Sequence, residues 1–252
     1  MKKMFMGLFW MAALALGQIV FAQDVTNGLI ARWTFDDGKG TGAADSSGGK
    51  TSLSLKGKPA AVEGKLGKAL SFDGKADYAE AALPKMDFNR DFSLCFWVRP
   101  APDAAKPGVL FSTIRDENNW RGFAVLYEPA EKALNVVRFK EVNTYQVNTF
   151  SKFYESKAND VLTSGAWQHV VVAADFANNM LLIYKDGVLL GTYSNADVKE
   201  INWNARDGLV RIAAEDVGGK EPLSFAGAID DVRLYDRLLS DEEITRIFKA
   251  EK

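Results

Sequence analysis

Apolar and polar residues alternate along most of this chain, which is the pattern of half-buried β-strands. Apolar residues occupy every second position from Leu29 to Phe35, and the segment around Val232 alternates in the same way. No segment before Ser240 carries a long apolar repeat with the 3.6-residue period of a helix. The pattern therefore predicts an all-β fold.

Two apolar runs between Met180 and Tyr193 predict a β-hairpin. The runs are separated by Asp186 and Gly187, a pair suited to the positive φ angles of a tight turn. Strands joined by so short a turn pair in the antiparallel sense.

The segment from Ala228 to Asp236 predicts a strand that carries a carboxylate on an apolar face. Successive side chains of a strand point to opposite sides, so Asp230 is expected to share a face with Val232 and Leu234. A carboxylate on a core-facing row has to be paired, hydrogen-bonded or bound to a metal, because an isolated buried charge is very costly.

A short helix is predicted at the C-terminal end of the chain. Ser240 and Glu243 have the spacing of a capping box, in which each side chain bonds the backbone N–H of the other residue. Ile244, Ile247 and Phe248 then form an apolar stripe. We expect this stripe to dock the helix on the β-structure.

Five stretches of the chain form an ordered set of motifs. They are GLIARWTFDDGKGTGAADSSG from Gly28, LSFDGKADY from Leu70, FSLCFWVRP from Phe92, AWQHVVVAADFANNMLLIYKDGVL from Ala166, and the closing segment Gly227 to Ile244. Together they resemble the laminin G-like (LamG) domains of secreted bacterial proteins, a family with the concanavalin A-like lectin/glucanase fold. The resemblance implies a jelly-roll β-sandwich of two antiparallel sheets with a short C-terminal α-helix. It also implies that the first and last strands lie together.

Residues 1–22 have the form of a secretory signal peptide. Two lysines precede an apolar run from Met4 to Phe21, and Ala22 stands at the cleavage position before Gln23. A membrane anchor is the alternative, because the run approaches spanning length. The prediction is an exported protein that is secreted, periplasmic or on the cell surface. It has no membrane span after cleavage and a single laminin G-like domain over residues 23–252.

Composition narrows the function classes. Apolar residues make up 47% of the 252 residues, enough for a sizeable core, and the formal net charge is −2. Without basic clusters, this charge argues against nucleic acid as a partner. Cys95 is the only cysteine, so no internal disulfide can form.

Acidic residues lie in predicted turns near the place where the chain ends are expected to meet. Calcium takes about six to eight oxygen ligands, and glycine-rich loops let backbone carbonyls contribute. The resemblance implies a structural calcium between the chain ends, with Asp36, Asp73 and Asp230 as candidate ligands. Alternatively, these carboxylates cap turns or pair with arginines such as Arg32 and Arg233.

Catalytic motifs are not evident. His169, the only histidine, is interpreted as a structural hydrogen-bonding residue of a strand. No Gly-x-Ser-x-Gly elbow supports a nucleophilic triad, and one histidine with one cysteine supplies too few zinc ligands. Glycoside hydrolases of the resembled fold carry a Glu-x-Asp-x-x-Glu strand, whereas the acidic strand AIDDVRLYD lacks glutamate. A hydrolase is therefore the less favoured alternative.

Aromatic residues beside amides indicate a glycan site. Trp203 lies between two asparagines, Trp120 follows two, and Tyr145 and Tyr154 bound a segment rich in Asn, Gln, Thr and Ser. Sugars present apolar C–H faces and many hydroxyls, so flat rings beside amides suit them. The alternative is that these rings belong to the core. The sequence predicts a non-catalytic, lectin-like module that binds a glycan or polysaccharide, with a cell-surface adhesion module that binds protein as the alternative.

Overall fold

The computed structural model describes residues 25–37, 41–83, 85–113, 122–139, 161–194, 204, 208–215 and 223–250. The predicted signal peptide lies outside these ranges. The elements are, in chain order, β1 (Leu29–Trp33), β2 (Gly42–Ala43), β3 (Leu53–Lys56), β4 (Ala60–Glu63), β5 (Lys68–Asp73), β6 (Tyr78–Ala82), β7 (Phe92–Pro100), β8 (Gly108–Ser112), β9 (Gly122–Glu128), β10 (Ala133–Phe139), β11 (Gln168–Asp175), β12 (Met180–Lys185), β13 (Val188–Ser194), β14 (Leu209–Ile212), β15 (Ala226–Tyr235) and α1 (Asp241–Ala250).

The strands form two antiparallel sheets. One has eight strands in the order β13-β12-β11-β7-β15-β5-β4, with β1 paired to β15. The other has seven, in the order β10-β9-β8-β14-β6-β3-β2. The predicted all-β sandwich with a short C-terminal helix is confirmed, and so is the hairpin turn, where Asp186 and Gly187 have φ angles of 51° and 80°.

The core lies between the two sheets and is built from alternate residues of their strands. Leu94, Phe96 and Val98 of β7 belong to it, as do Phe123 and Val125 of β9, because every second residue of a strand shares a face. Fully burying one such side chain contributes about 1.5–3 kcal/mol. This core stabilises a chain whose single cysteine forms no internal disulfide.

The two ends of the described chain meet in the eight-stranded sheet. β1 pairs with β15 in the register Leu29 to Tyr235 and Trp33 to Val232. The Tyr235 hydroxyl also donates a 2.9 Å hydrogen bond to the carbonyl of Val25. The expectation that the first and last strands lie together is confirmed.

Helix α1 packs on the outer face of the eight-stranded sheet, the face turned away from the other sheet. Ile244 and Ile247 are buried against Cys95 of β7, Val171 of β11 and Tyr184 of β12. The apolar stripe read from the sequence therefore docks the helix as predicted.

The predicted capping box is present at the start of α1. The N–H of Glu243 donates to Ser240 Oγ at 3.3 Å, and the N–H of Ser240 donates to Glu243 Oε2 at 2.9 Å. Arg237 holds the same glutamate in a bidentate ion pair, with both distances 2.7 Å. No helix within the described ranges is long and apolar enough to cross a membrane.

A bulge in β15 changes the face on which Asp230 lies. The register with β7 shifts between Asp230 and Arg233, so Asp231 and Val232 occupy the space of one residue. Asp231 adopts a positive φ of 41°. Val232 packs between the sheets, whereas Asp230 pairs with Trp97 on the outer face. The prediction that Asp230 shares a face with Val232 is wrong, because the bulge interrupts the strict alternation.

Candidate functional site

The turn between β4 and β5 binds two of the three carboxylates predicted to hold calcium. The N–H groups of Lys65 and Leu66 donate to Asp230 Oδ2 at 2.8 and 2.9 Å. The N–H of Lys68 donates to Asp36 Oδ1 at 2.8 Å. Asp36 follows β1 and Asp230 lies in β15, so this turn ties both terminal strands to β5.

Gly64 is needed at the start of this turn. A Cβ on Gly64 would lie 2.5 Å from Asp230 Oδ2 and 2.8 Å from the backbone carbonyl carbon of Lys68. Real Cβ atoms do not approach other atoms this closely. Only a residue without a side chain lets the turn reach the carboxylate.

Asp230 is fully buried and has one oxygen to spare. Oδ2 accepts the two turn N–H groups, but Oδ1 has no hydrogen-bond partner within the described part of the chain. Burial raises the pKa of Asp230 to about 7. The hydrogen bond from the Leu66 N–H lowers this pKa, whereas the negative charge of Asp231 raises it. A buried, half-satisfied carboxylate fits a ligand of a hard cation such as calcium. It also fits a carboxyl group that stays protonated.

Asp73, the third predicted calcium ligand, lies at the opposite end of β5. It is five positions from Lys68, a span of about 16 Å at the rise of a strand. Its Oδ1 accepts the N–H groups of Lys75, Ala76 and Asp77 at 2.8, 3.0 and 3.1 Å. Slight burial works to raise the pKa of Asp73, but these donors outweigh it and lower the pKa.

The structure thus brings Asp36 and Asp230 to one turn and leaves Asp73 apart. Within the described ranges, no three His, Cys, Asp or Glu side chains are grouped as a metal site would require. A calcium here would need backbone carbonyls or water beside the two carboxylates. Calcium binding stays a prediction.

Asp231, which follows Asp230 in β15, is held by two arginines. Arg32 Nε donates to its Oδ1 at 2.7 Å, and Arg233 Nη2 donates to its Oδ2 at 2.6 Å. Burial works to raise the pKa of Asp231, but the charges of Arg233 and Arg32 outweigh it and hold the pKa below its usual value. In the sequence analysis, pairing with Arg32 and Arg233 is the alternative to calcium binding. Asp231 makes both of these ion pairs.

His169 lies in one row with Trp97 and Asp230 across β11, β7 and β15. Its ring packs against Trp97 and Phe248, with centroids 5.2 and 6.1 Å away, and its Nδ1 has no partner among the described residues. Burial lowers the pKa of His169 to about 3, helped by the charge of Arg233. His169 is interpreted from the sequence as a structural hydrogen-bonding residue. In the structure its ring packs against aromatic rings, and its backbone N–H donates a hydrogen bond to Asp186 Oδ1.

A polar cluster lies on the outer face of the seven-stranded sheet. The alternate residues Ala79, Ala81, Val210 and Ile212 face the core, so Tyr78, Glu80 and Arg211 point away from it. The Arg211 guanidinium lies 4.7 Å from the centroid of Tyr78, and its Nε donates to Glu80 Oε2 at 3.3 Å. Lys56 Nζ approaches the other oxygen of Glu80 at 3.3 Å. We call these four residues, Lys56, Tyr78, Glu80 and Arg211, the β6–β14 cluster.

The β6–β14 cluster is partly accessible to solvent. The side chains of Lys56, Glu80 and Arg211 are 44%, 20% and 15% exposed. Farther along the same face, the described residues of β8 to β10, apart from the half-buried Glu128, are nearly covered. They are Val109, Ser112, Ala124, Leu126, Ala133 and Asn135. The open part of this face is therefore centred on β3, β6 and β14.

Chemically, the cluster combines an aromatic ring with a fixed donor and acceptor pair. Glu80 accepts from two cations and keeps further lone pairs, and Arg211 has five N–H donors. Adjacent hydroxyls of a sugar can donate to a carboxylate and accept from a guanidinium, while the C–H face of the sugar packs on a ring.

The four aromatic residues predicted to bind a glycan, Trp120, Tyr145, Tyr154 and Trp203, lie outside the described residues. The end of β8, the start of β9, the end of β10 and the start of β14 lie together at one end of the seven-stranded sheet. Gly122 at the start of β9 pairs with Phe139 at the end of β10, and Arg211 of β14 pairs with Ser112 at the end of β8. Arg211 is two residues from the start of β14, so the β6–β14 cluster begins about 7 Å from that sheet end.

Asn204, the residue after Trp203, is anchored at this end. Its Oδ1 accepts the N–H of Phe88 at 2.6 Å, and its Nδ2 donates to Asp87 Oδ1 at 2.8 Å. The hydrogen bond from Asn204 lowers the pKa of Asp87, and Arg90 lowers it further. An amide next to the predicted tryptophan therefore serves the fold.

Sequence analysis did not identify the β6–β14 cluster. Glu80 and Arg211 are 131 positions apart, and neither belongs to a local motif. The available signal was the strand alternation that places Tyr78 and Glu80 opposite two core alanines, but the partner strand could not be inferred from it.

Comparison with known families places this fold in a defined class. The laminin G-type family model Laminin_G_3, described as the concanavalin A-like lectin/glucanases superfamily, matches residues 73–245. The chain belongs to that superfamily, as the resemblance had implied.

The chain is similar to a pentraxin-related protein and, in fold, to a domain of an arabinanase. The chain is 28% identical over 160 residues to the pentraxin-related protein PTX3 of Mus musculus, covering 61% of this chain and 37% of the relative. Domain 4 of AbnA, a GH43 extracellular arabinanase from Geobacillus stearothermophilus, was solved with arabinotriose. It aligns with a TM-score of 0.65 at 18% identity, over 89% of this chain and 98% of that domain.

The binding domain of botulinum neurotoxin DC, solved with rat synaptotagmin II, aligns with a TM-score of 0.64 at 15% identity. The alignment covers 91% of this chain and 53% of the toxin domain. The same toxin domain was also solved with SialylT. The chain thus spans about half of the toxin domain and a smaller part of the pentraxin-related protein. At these identities the solved structures show a common fold.

Proposed function

We propose that this protein is an exported, non-catalytic carbohydrate-binding module whose sugar contacts the β6–β14 cluster. The observation that carries the proposal is the accessible combination of Tyr78, Glu80 and Arg211 on a sheet face that α1 does not cover. Trp120, Tyr145, Tyr154 and Trp203 remain the further aromatic contacts that the sequence predicts.

The relatives support a binding role. The arabinanase domain was solved with a saccharide and the toxin domain with SialylT and with a protein. Because the toxin domain was also solved with a protein, the second hypothesis is an adhesion module that recognises a cell-surface protein. The test below distinguishes the two hypotheses.

The test is binding to a panel of immobilised oligosaccharides, arabinotriose among them, with and without calcium. We expect Arg211→Gln and Tyr78→Ala each to weaken binding of the best saccharide at least tenfold, about 1.4 kcal/mol. Both variants should keep the wild-type circular dichroism spectrum.

Arg99→Gln is the matched control. The Arg99 guanidinium lies 4.8 Å from the Trp167 ring on the other sheet, so its loss removes a similar cation–π contact of about 0.5–1 kcal/mol. The Arg99→Gln variant should bind the saccharide with the affinity of the wild type. If no oligosaccharide of the panel binds, the protein-binding hypothesis is favoured. Release of shortened oligosaccharides would reveal a hydrolase.

A further inference from the structure

Within the described part of the chain, β13 is an edge strand, and it carries an apolar patch. Val188, Leu189 and Leu190 are consecutive, and 64%, 42% and 37% of their surface is exposed. β13 ends the order of the eight-stranded sheet, with no described strand on its outer side. Three adjacent large apolar residues on a strand edge are more than the scattered exposure that is normal on a soluble surface.

The strand reads VLLGTYS and contains no charged residue and no proline, two of the usual means of preventing edge-to-edge pairing. A third, a bulge, is present at Leu190, where the register with β12 shifts between Ile183 and Tyr184. An identical β13 from a second copy would pair with it in the antiparallel sense about a two-fold axis perpendicular to the sheet. Such an interface is self-complementary, because each copy supplies the same patch.

Helix α1 lies close to this edge. Tyr184 of β12 donates a 2.7 Å hydrogen bond to Asp241, and Thr245 Oγ1 donates to the carbonyl of Gly187 in the β12–β13 turn at 3.5 Å. The two-fold axis that pairs the β13 strands would therefore bring the two α1 helices near each other and antiparallel.

The exposed face of α1 has a charge pattern that suits this arrangement. An open groove on α1 is lined by acidic residues at its N-terminal end and by basic residues at its C-terminal end. The lining residues are Asp241, Glu242, Thr245, Arg246, Lys249 and Ala250. Antiparallel helices place the acidic end of each copy against the basic end of the other, so the pattern is complementary to itself.

We propose that the β13 edge and the exposed face of α1 form a homodimer interface, with a second copy of this chain as the occupant. The apolar patch supplies the burial, the strand edge supplies backbone hydrogen bonds, and the charges of α1 set the antiparallel orientation. The proposal goes beyond carbohydrate binding and does not depend on it.

Sedimentation velocity of the purified protein, without sugar, tests the proposal over a range of protein concentrations. Wild type should form a dimer whose fraction rises with concentration, and Leu189→Arg should shift the dissociation constant upward at least tenfold. Leu223→Arg is the matched control, because Leu223 is a similarly exposed leucine, 39%, outside β13. It should leave the dimer unchanged.

Charge reversal on α1 gives a second, independent readout. Glu242→Arg and Arg246→Glu should each weaken the dimer, and the double variant should restore it, because the reversed pattern is again complementary to itself. A monomer at every concentration, or a dimer that Leu189→Arg leaves intact, overturns the proposal. Binding of a different protein at this edge, with no self-association, also overturns it.

Discussion

The burial of His169 predicts a specific loss of stability in acid. A histidine whose pKa is lowered on folding stabilises the native state fully above its unfolded pKa of 6.5. That stability is lost as the pH falls toward the folded value of about 3. We expect His169→Phe to remove this loss, because phenylalanine keeps a ring between Trp97 and Phe248 and cannot take up a proton.

The size of the effect follows from the two pKa values. Each unit of difference corresponds to about 1.4 kcal/mol, so the full shift amounts to about 5 kcal/mol. Of this stabilisation free energy, about 3 kcal/mol is lost between pH 7.5 and pH 4. Any packing cost of the larger ring is the same at both pH values. The charged groups that act on His169, Arg233 and Asp231, are present in both proteins.

The assay is urea-induced unfolding of wild type and His169→Phe at pH 7.5 and pH 4.0. The free energy of unfolding of the variant, relative to wild type, should rise by about 3 kcal/mol between the two conditions. Phe248→Leu is the control, because it alters the packing on His169 but keeps the imidazole, so it should follow the wild-type pH profile. A relative stability of His169→Phe that stays constant within about 0.5 kcal/mol would refute a buried neutral imidazole.

Three further predictions concern the turn at Gly64 and the start of α1. Gly64→Ala should destabilise the protein by about 2–4 kcal/mol in urea unfolding, because its Cβ overlaps Asp230 and backbone; a near-neutral result would show that the turn can move away. If Asp230 binds calcium, millimolar calcium should raise the melting temperature of metal-stripped wild type but not of Asp230→Asn. Equal responses of the two proteins would exclude that role. Ser240→Ala should cost about 1 kcal/mol of stability through loss of the cap and leave saccharide affinity unchanged. Weaker binding by the folded variant would place α1 in the recognition surface.

Features that depend on neighbouring residues could be predicted from the sequence. The Asp186–Gly187 turn and the Ser240–Glu243 capping box are each specified within four residues, and both are present. The pairing of the first and last strands came from the family resemblance, since no local pattern identifies a partner 200 residues away.

The face of Asp230 could not be predicted, because it depends on a bulge with a positive φ at Asp231, a residue that is not glycine. That conformation is held by Arg32 of β1 and by Arg233. The sequence shows these charges but not their approach across the sheet. The β6–β14 cluster was missed for the same reason, because Glu80 and Arg211 meet only after two distant strands have paired.

The strand order has a consequence for when the chain can fold. β15, made last among the strands, lies inside the eight-stranded sheet between β7 and β5 and also pairs with β1. The Tyr235 hydroxyl bonds a carbonyl 210 positions earlier, a separation that at about 5–20 residues per second takes about 10–40 s to synthesise. Until then, β1 and β5 lack the strand between them and β7, and their edges are open. We expect the nascent chain to stay incompletely folded, and dependent on protection from aggregation, until β15 has been made.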